Sequence, residues 1–354
     1  MKQYLMKGNE AIAEAAIRAN CRHFFGYPIT PSTEIIEYMA AKMNKAGGTF
    51  VQAESEVAAI YMVFGAAGSG KRVLTASSST GISLKQEGIS FIAANELPAV
   101  IVNIMRTGPG LGGLGPSQAD YFQATKGGGH GDYRLIVLAP SSVQEMADLI
   151  IDGFDLADIH RNPVMILADG VLGQMMEPVT FTGREPVEVN KDWATTGAEG
   201  RERNLITSYN LQNEAGEKKA LYLEEKYKGI AAKEQRWENY LMDDAEYAFV
   251  AYGTSARIVK GAVDELREQG HKVGLIRPIT LWPFPEKAFE EVIDKIKGYM
   301  VVEMSTGQMV EDVKLNVNGQ APVEFYSRQG GITPQHNEIV EKFTNAFATG
   351  GVTV

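Results

Sequence analysis

Thr30, Glu56 and Arg106 are the residues whose types and positions could do chemistry, because each follows a short apolar run that reads as a β-strand. In an open parallel sheet, ligands sit beyond the carboxyl ends of the strands, so polar residues gathered there need a reason other than core packing. Thr30 lies in Gly26-Tyr27-Pro28-Ile29-Thr30-Pro31-Ser32-Thr33-Glu34. Its hydroxyl and the backbone amides after it face one point, which favours a carboxylate or phosphate. The alternative is a plain N-cap, with Pro31 in the first helical turn. Glu54 and Glu56 precede a small-residue apolar helix (Val57, Ala58, Ala59, Ile60, Val63, Gly65, Ala66) that must be buried, so one carboxylate enters the interior with it. A buried carboxyl can share a proton near neutrality, whereas one left in water only complements the helix dipole. Arg106 opens a glycine-rich loop over residues 107–116, where a guanidinium can grip a carboxylate through two parallel hydrogen bonds or pair with a nearby surface acid.

Two further turns carry polar groups. Ser77-Ser78-Ser79-Thr80-Gly81 follows a strand and opens a helix, so hydroxyls and amides again point into the crevice. Gly127-Gly128-Gly129-His130-Gly131-Asp132 carries one of five histidines; His130 is either a substrate-pocket residue or a structural part of its loop, and spacing offers it no metal partner. The glycines of 108–115 lack the Gly-x-Gly-x-x-Gly spacing at a first strand-helix turn that a dinucleotide site requires.

The elements that position these groups read as a parallel sheet with crossover helices. Strands are expected at His23–Tyr27, Thr49–Gln52, Arg72–Ser77, Ala99–Met105, Leu135–Ala139 and Val164–Ala168, and a helix from Pro31 to Lys45. From about Glu177 to Asp244 the chain is charged and polar, with one surface helix expected over Lys218–Tyr240. A second α/β unit follows, with strands at Tyr247–Tyr252, Val273–Arg277, Tyr299–Glu303 and Val323–Tyr326 and helices at Ser255–Gln269 and Pro285–Lys297. Gly253-Thr254-Ser255 is either an anion-binding turn or a simple strand-to-helix connection. The domain expectation is therefore 1–185, a linker over 186–244, and a smaller unit over 245–354.

A chain of 354 residues with 44% hydrophobic content can build two cores, and a net charge of −10 argues against nucleic acid or an anionic membrane as partner. One cysteine, Cys21, excludes an internal disulfide and any cysteine-ligated iron–sulfur cluster carried by this chain alone. Asn9, Glu10 and Glu14 interrupt any secretory signal, so the cytoplasm is expected.

The Tyr27–Thr33 motif, Gln52-Ala53-Glu54-Ser55-Glu56-Val57-Ala58-Ala59 and Gln118-Ala119-Asp120-Tyr121-Phe122-Gln123-Ala124-Thr125-Lys126 resemble the α subunit of 2-oxoacid:ferredoxin oxidoreductases, the branched-chain (2-oxoisovalerate) type in particular. The resemblance implies an α/β fold: a pyrimidine-type parallel-sheet domain of a thiamine diphosphate enzyme, followed by a smaller transketolase C-terminal-like domain. It implies oxidative decarboxylation of a 2-oxo acid to acyl-CoA, with electrons passed to ferredoxin. Glu56 is selected over Glu54, nine residues before Gly65, as the carboxylate on the aminopyrimidine ring nitrogen. Thr30 and Arg106 would then hold the 2-oxo acid, and Tyr27, Pro28, Ser79 and Gly81 would line the cofactor. Ser79-Thr80-Gly81 lacks a proline that many relatives have there. No Gly-Asp-Gly with a following asparagine is found: Gly131-Asp132-Tyr133 and Ala168-Asp169-Gly170 both depart from it. The diphosphate and its Mg2+ are thus expected on a β subunit, the iron–sulfur clusters on a γ or ferredoxin-like subunit, and no metal site here. CoA is the expected co-substrate. The alternatives are the same chemistry on 2-oxoglutarate or pyruvate, or a scaffolding subunit without catalysis.

Overall fold

The computed structural model describes residues 2–348. Val73–Ser77, Val100–Met105 and Val164–Asp169 are buried along their whole length, as strands covered by helices on both faces must be. They form the centre of a seven-stranded sheet in the order Thr280–Trp282, Ile136–Leu138, Val164–Asp169, Val100–Met105, Val73–Ser77, His23–Gly26, Thr49–Gln52. All neighbours are parallel except Thr280–Trp282, which runs antiparallel to Ile136–Leu138. The chain leaves His23–Gly26 for the edge strand Thr49–Gln52, then crosses back to place Val73–Ser77 on the other side. That reversal makes a topological switch point, and the Thr30 and Ser77–Gly81 turns flank it.

A second sheet has five strands in the order Val323–Ser327, Gly298–Glu303, Tyr247–Val250, Val273–Pro278, Trp237–Tyr240, with only the last antiparallel. Gln3–Lys7 and Met176–Thr180 form a separate antiparallel pair.

Several elements differ from the sequence reading. The helix expected from Pro31 begins at Thr33 behind Ser32 and ends at Lys42, so Thr30 lies in the turn before the helix rather than at its cap. Helix Asn213–Lys233 stops early, and Trp237–Tyr240, read as its last turn, is an edge strand held by backbone pairing to Leu275–Pro278. The helix expected over Pro285–Lys297 is only Glu286–Glu290. Residues 181–212 carry no helix or strand and are strapped to the first unit, with Lys191 Nζ on Asp158 and Arg161 stacked on Trp193.

The two units are joined by buried polar contacts rather than by a loose hinge. Gln118, fully buried, receives hydrogen bonds from Met304 N and Ser255 Oγ and donates to the carbonyls of Met304 and Tyr252. Arg277 makes a two-pronged bond to Glu145 at 2.9 and 2.7 Å and a third bond to Glu238. Tyr121 Oη and Lys126 Nζ both reach Asp312. Buried, geometrically demanding bonds of this kind fix one relative placement, since breaking any leaves an unpaired polar group.

Candidate active site

Glu56 is the first residue of helix Glu56–Gly68, whose N-cap Ser55 accepts from Ala58 N through its hydroxyl. Glu54 points to solvent, whereas Glu56 is 5% exposed. Two glycines explain how that carboxylate gets inside. At Gly88 a Cβ would stand 2.4 Å from Ile60 Cγ2, so helix Thr80–Ala94 approaches helix Glu56–Gly68 closely only because Gly88 has no side chain. At Gly81 a Cβ would stand 2.6 Å from Glu56 Oε1 and 2.0 Å from Ser77 Oγ. The space a side chain would fill at Gly81 is therefore the space the Glu56 carboxylate uses.

Arg106 is buried at the end of Val100–Met105. Its Nη1 donates to the Thr30 carbonyl at 3.0 Å, and its Nη2 makes two longer contacts, 3.3 Å each, with Thr80 Oγ1 and the Leu111 carbonyl. Long bonds of this kind are readily exchanged for a better acceptor. The base of Arg106 is held tightly: its backbone N–H donates to Ser79 Oγ, which itself donates to Asp120 Oδ2 at 2.6 Å, while Asn103 Nδ2 donates to the same oxygen. Ser79 sits at φ 26°, a left-handed backbone that a non-glycine residue adopts only when its surroundings hold it there. Burial pushes the Asp120 carboxyl up, and the hydrogen bonds from Ser79 and Asn103 work against that shift.

Thr30, Arg106, Ser79, Thr80, Gly81 and Glu56 are thus one contiguous group at the switch point. Tyr27 and Pro28 join it at the end of His23–Gly26, Tyr27 38% exposed, beside the Ala53 turn that hydrogen-bonds the Gly26 carbonyl. His130 is not part of the group. It is exposed and lies edge-on to Phe91, ten residues beyond Gly81 on helix Thr80–Ala94, or about 15 Å along the axis. The Gly253 turn is not open to an anion: Thr254 Oγ1 donates to the buried Asp169 carboxylate at 2.9 Å.

Residues to which the sequence reading gave no role also stand at this group. Asp120 and Asn103 anchor Ser79, and Lys85 is fully buried one turn beyond Gly81. A signal for Lys85 did exist. Gly81, Lys85, Gly88 and Ile92 share one helical face, and a lysine among glycines and an isoleucine on a packed face demands a partner.

Three buried polar atoms around the crevice, Ser77 Oγ, Ser78 Oγ and Arg106 Nε, have no hydrogen-bond partner among the described residues. Buried orphans are rare in folded proteins and gather where a ligand completes them. No group of three or more histidine, cysteine or acidic side chains suited to a metal ion exists among the described residues. No described helix is long and apolar enough to cross a membrane.

A buried carboxylate, a strand-end guanidinium and unpartnered hydroxyls gather on the crevice of a parallel sheet, and the part of the chain that carries them matches a thiamine diphosphate-binding class of protein. Residues 14–242 match the family described as pyruvate flavodoxin/ferredoxin oxidoreductase, thiamine diphosphate-binding, and residues 245–339 match pyruvate:ferredoxin oxidoreductase core domain II. The chain belongs to this family and is a 2-oxoacid:ferredoxin oxidoreductase subunit. Ketoisovalerate oxidoreductase subunit VorB of Methanothermobacter marburgensis is 53% identical over 344 residues, 97% of each chain. 2-oxoglutarate synthase subunit KorA of Methanocaldococcus jannaschii is 39% identical over 96% of this chain and 98% of its own. Among solved structures, 2-oxoglutarate:ferredoxin oxidoreductase from Magnetococcus marinus with 2-oxoglutarate, coenzyme A and succinyl-CoA bound superposes with a TM-score of 0.85 at 27% identity over 97% of this chain, which spans 65% of that one. A split-gene transketolase, at 11% identity and a TM-score of 0.57, shares the fold.

Proposed function

We propose that this subunit carries the aminopyrimidine side of the cofactor site and the substrate clamp of an enzyme that decarboxylates 2-oxoisovalerate to an acyl-CoA and passes the electrons to ferredoxin. The observation that carries the reading is the Glu56 carboxylate, buried in the space left by Gly81 and within one contact network of Arg106. Bound there, thiamine diphosphate supplies the electron sink for loss of carbon dioxide from the 2-oxo acid. The residues fit that group: Glu56 offers a carboxylate oxygen to a ring nitrogen, and Ser77 and Ser78 hold hydroxyls that lack partners.

The work of this chain is to bind, orient and hold a proton. Glu56 holds a proton against the aminopyrimidine ring nitrogen, where burial strengthens the bond. Arg106 exchanges its long bonds to Thr80 and Leu111 for the substrate carboxylate, with its base fixed by Ser79 and Asp120. The Thr30 hydroxyl, exposed beside the guanidinium, donates to the 2-oxo oxygen. Tyr27, Pro28, Ser79 and Gly81 shape the wall between them. The diphosphate and Mg2+ belong on a β subunit and the iron–sulfur clusters on a γ or ferredoxin-like subunit. This division is supported by the relatives' being named as subunits.

The branched-chain substrate is favoured by 53% identity to the VorB subunit over nearly the whole chain, against 39% or less for the KorA subunits. The test is CoA-dependent viologen reduction by the assembled complex with 2-oxoisovalerate, 2-oxoglutarate and pyruvate in turn. Turnover greatest with 2-oxoisovalerate supports the reading. Preference for 2-oxoglutarate or pyruvate overturns the substrate, and full turnover in a Glu56→Ala complex overturns the role of this site.

A further inference from the structure

Lys85 is a buried cation that neither the mechanism nor the contacts between the two units above employ. It lies on helix Thr80–Ala94, fully inaccessible, with Nζ donating to Thr75 Oγ1 at 2.9 Å and to the Ala76 carbonyl at 3.3 Å. An ammonium has three N–H donors, and these two neutral acceptors leave one over. Thr75 and Ala76 belong to the strand that ends at Ser77, so Lys85 is pinned beneath the turn that forms the crevice wall. The facing element on the other side is helix Glu56–Gly68, which meets the Lys85 helix at Gly81 and Gly88, and its Glu56 carboxylate works against the loss of the Lys85 proton. Glu56 Oε1 rests against Gly81, four residues before Lys85 and on the same helical face.

We propose that Lys85 is a positioning residue for Glu56, its buried side chain holding the carboxylate aimed across Gly81 at the crevice. The inference rests on the reading of Glu56 given above. Two buried groups of opposite charge stabilise each other's charged forms, and neither is comfortable alone: an isolated buried carboxylate takes up a proton, and an isolated buried ammonium gives one up. Burial draws the Lys85 ammonium down to about 7 even against the pull of Glu56. Lys85 therefore changes its own charge near neutrality, on the helical face that carries Gly81. A lysine serving only as a tether between helix and strand would need no carboxylate opposite.

The test uses the full chain for stability and the assembled complex for kinetics, with Lys85→Met, Glu56→Gln and the double variant. Methionine keeps the length of the side chain and removes its charge. In the ligand-free chain at pH 6, the two substitutions are expected to couple by about ten-fold in the unfolding equilibrium. In the complex, Lys85→Met is expected to move the acidic limb of kcat/KM upward by about one pH unit or more, since an opposite charge at close range shifts a carboxyl by that much. Should Lys85→Met fail to fold, wild type against Glu56→Gln decides. Lys85 needs a counter-charge only where it is protonated, so lowering the pH through about 7 is expected to cost Glu56→Gln more stability than it costs wild type. Additive substitutions, an unmoved limb or parallel stability profiles overturn the inference. Turnover retained in Glu56→Gln overturns instead the reading of Glu56 on which it rests, so the two failures are told apart.

Discussion

Replacing Gly81 by alanine separates the site's chemistry from its stability. Gly81 is helical, so alanine suits its backbone and gains up to about 1 kcal/mol of helix propensity. The obstacle is space. The new Cβ would meet Glu56 Oε1 at 2.6 Å, and the carboxylate must retreat by about 0.8 Å to reach an ordinary 3.4 Å contact; Ser77 Oγ, at 2.0 Å, must turn away further. Overpacking of this kind costs about 1–3 kcal/mol, which leaves a net loss of about 0–2 kcal/mol and a fall of a few degrees in Tm. Displacing a catalytic carboxylate by about 1 Å costs on the order of 100-fold in turnover. The assay is viologen reduction by the complex, alongside thermal unfolding of the chain. Gly274→Ala is the control: its Cβ would meet Met242 Sδ at 2.5 Å, a similar clash in the second sheet and away from Glu56, so it is expected to lose stability and keep its kcat. Full turnover in Gly81→Ala, or equal losses in both variants, would refute the argument that this glycine exists to house the carboxylate.

Arg106→Lys is expected to raise KM for the 2-oxo acid about ten-fold or more, because a point charge replaces a two-pronged donor; steady-state kinetics with an unchanged KM would count against the clamp. Asp120→Asn, which keeps the shape but weakens the bond from Ser79 Oγ, is expected to lower kcat/KM with little change in Tm. Arg72→Met strands Asp155 and Asp158, which are both buried; since Arg184 and Lys191 remain as partners, the loss is placed at about 3 kcal/mol, the low end for a broken buried pair, and denaturant unfolding with a loss below about 1 kcal/mol would contradict it. The pH dependence has a definite sign. Lys85 titrates at about 7 when folded and at the ordinary 10.5 when unfolded, so between these values the unfolded chain holds more protons and stability rises with pH. Relative to Lys85→Met, wild type should gain about 1.4 kcal/mol per pH unit within the window between 7 and 10.5 and show no further change below about 7; a flat difference inside that window would show that Lys85 is not buried as described.

The sequence by itself determined the strands and the ends where chemistry sits. Val73–Ser77, Val100–Met105 and Val164–Asp169 are continuous apolar runs, and burial on both faces is written in such runs without knowledge of their neighbours. Thr30, Arg106 and the pair Glu54/Glu56 stood out because polar residues beyond strand ends are a local pattern, whereas the choice of Glu56 over Glu54 came from the family resemblance. Tertiary structure decided what no local pattern holds. Trp237–Tyr240 followed a helix in sequence and became a strand because Leu275–Pro278 offered it a sheet edge, and Thr280–Trp282 left the second unit to pair with Ile136–Leu138 of the first. The sequence held no sign that the Ser79 hydroxyl joins the Arg106 backbone to Asp120, which lies forty-one residues beyond Ser79 in the chain. His130, in a flexible-looking glycine loop, fell beside Phe91 and away from the crevice. The partner of Lys85 could not be read at all. Helical periodicity says which face a side chain takes, but only the close approach of two helices at Gly81 and Gly88 brings Glu56 to that face.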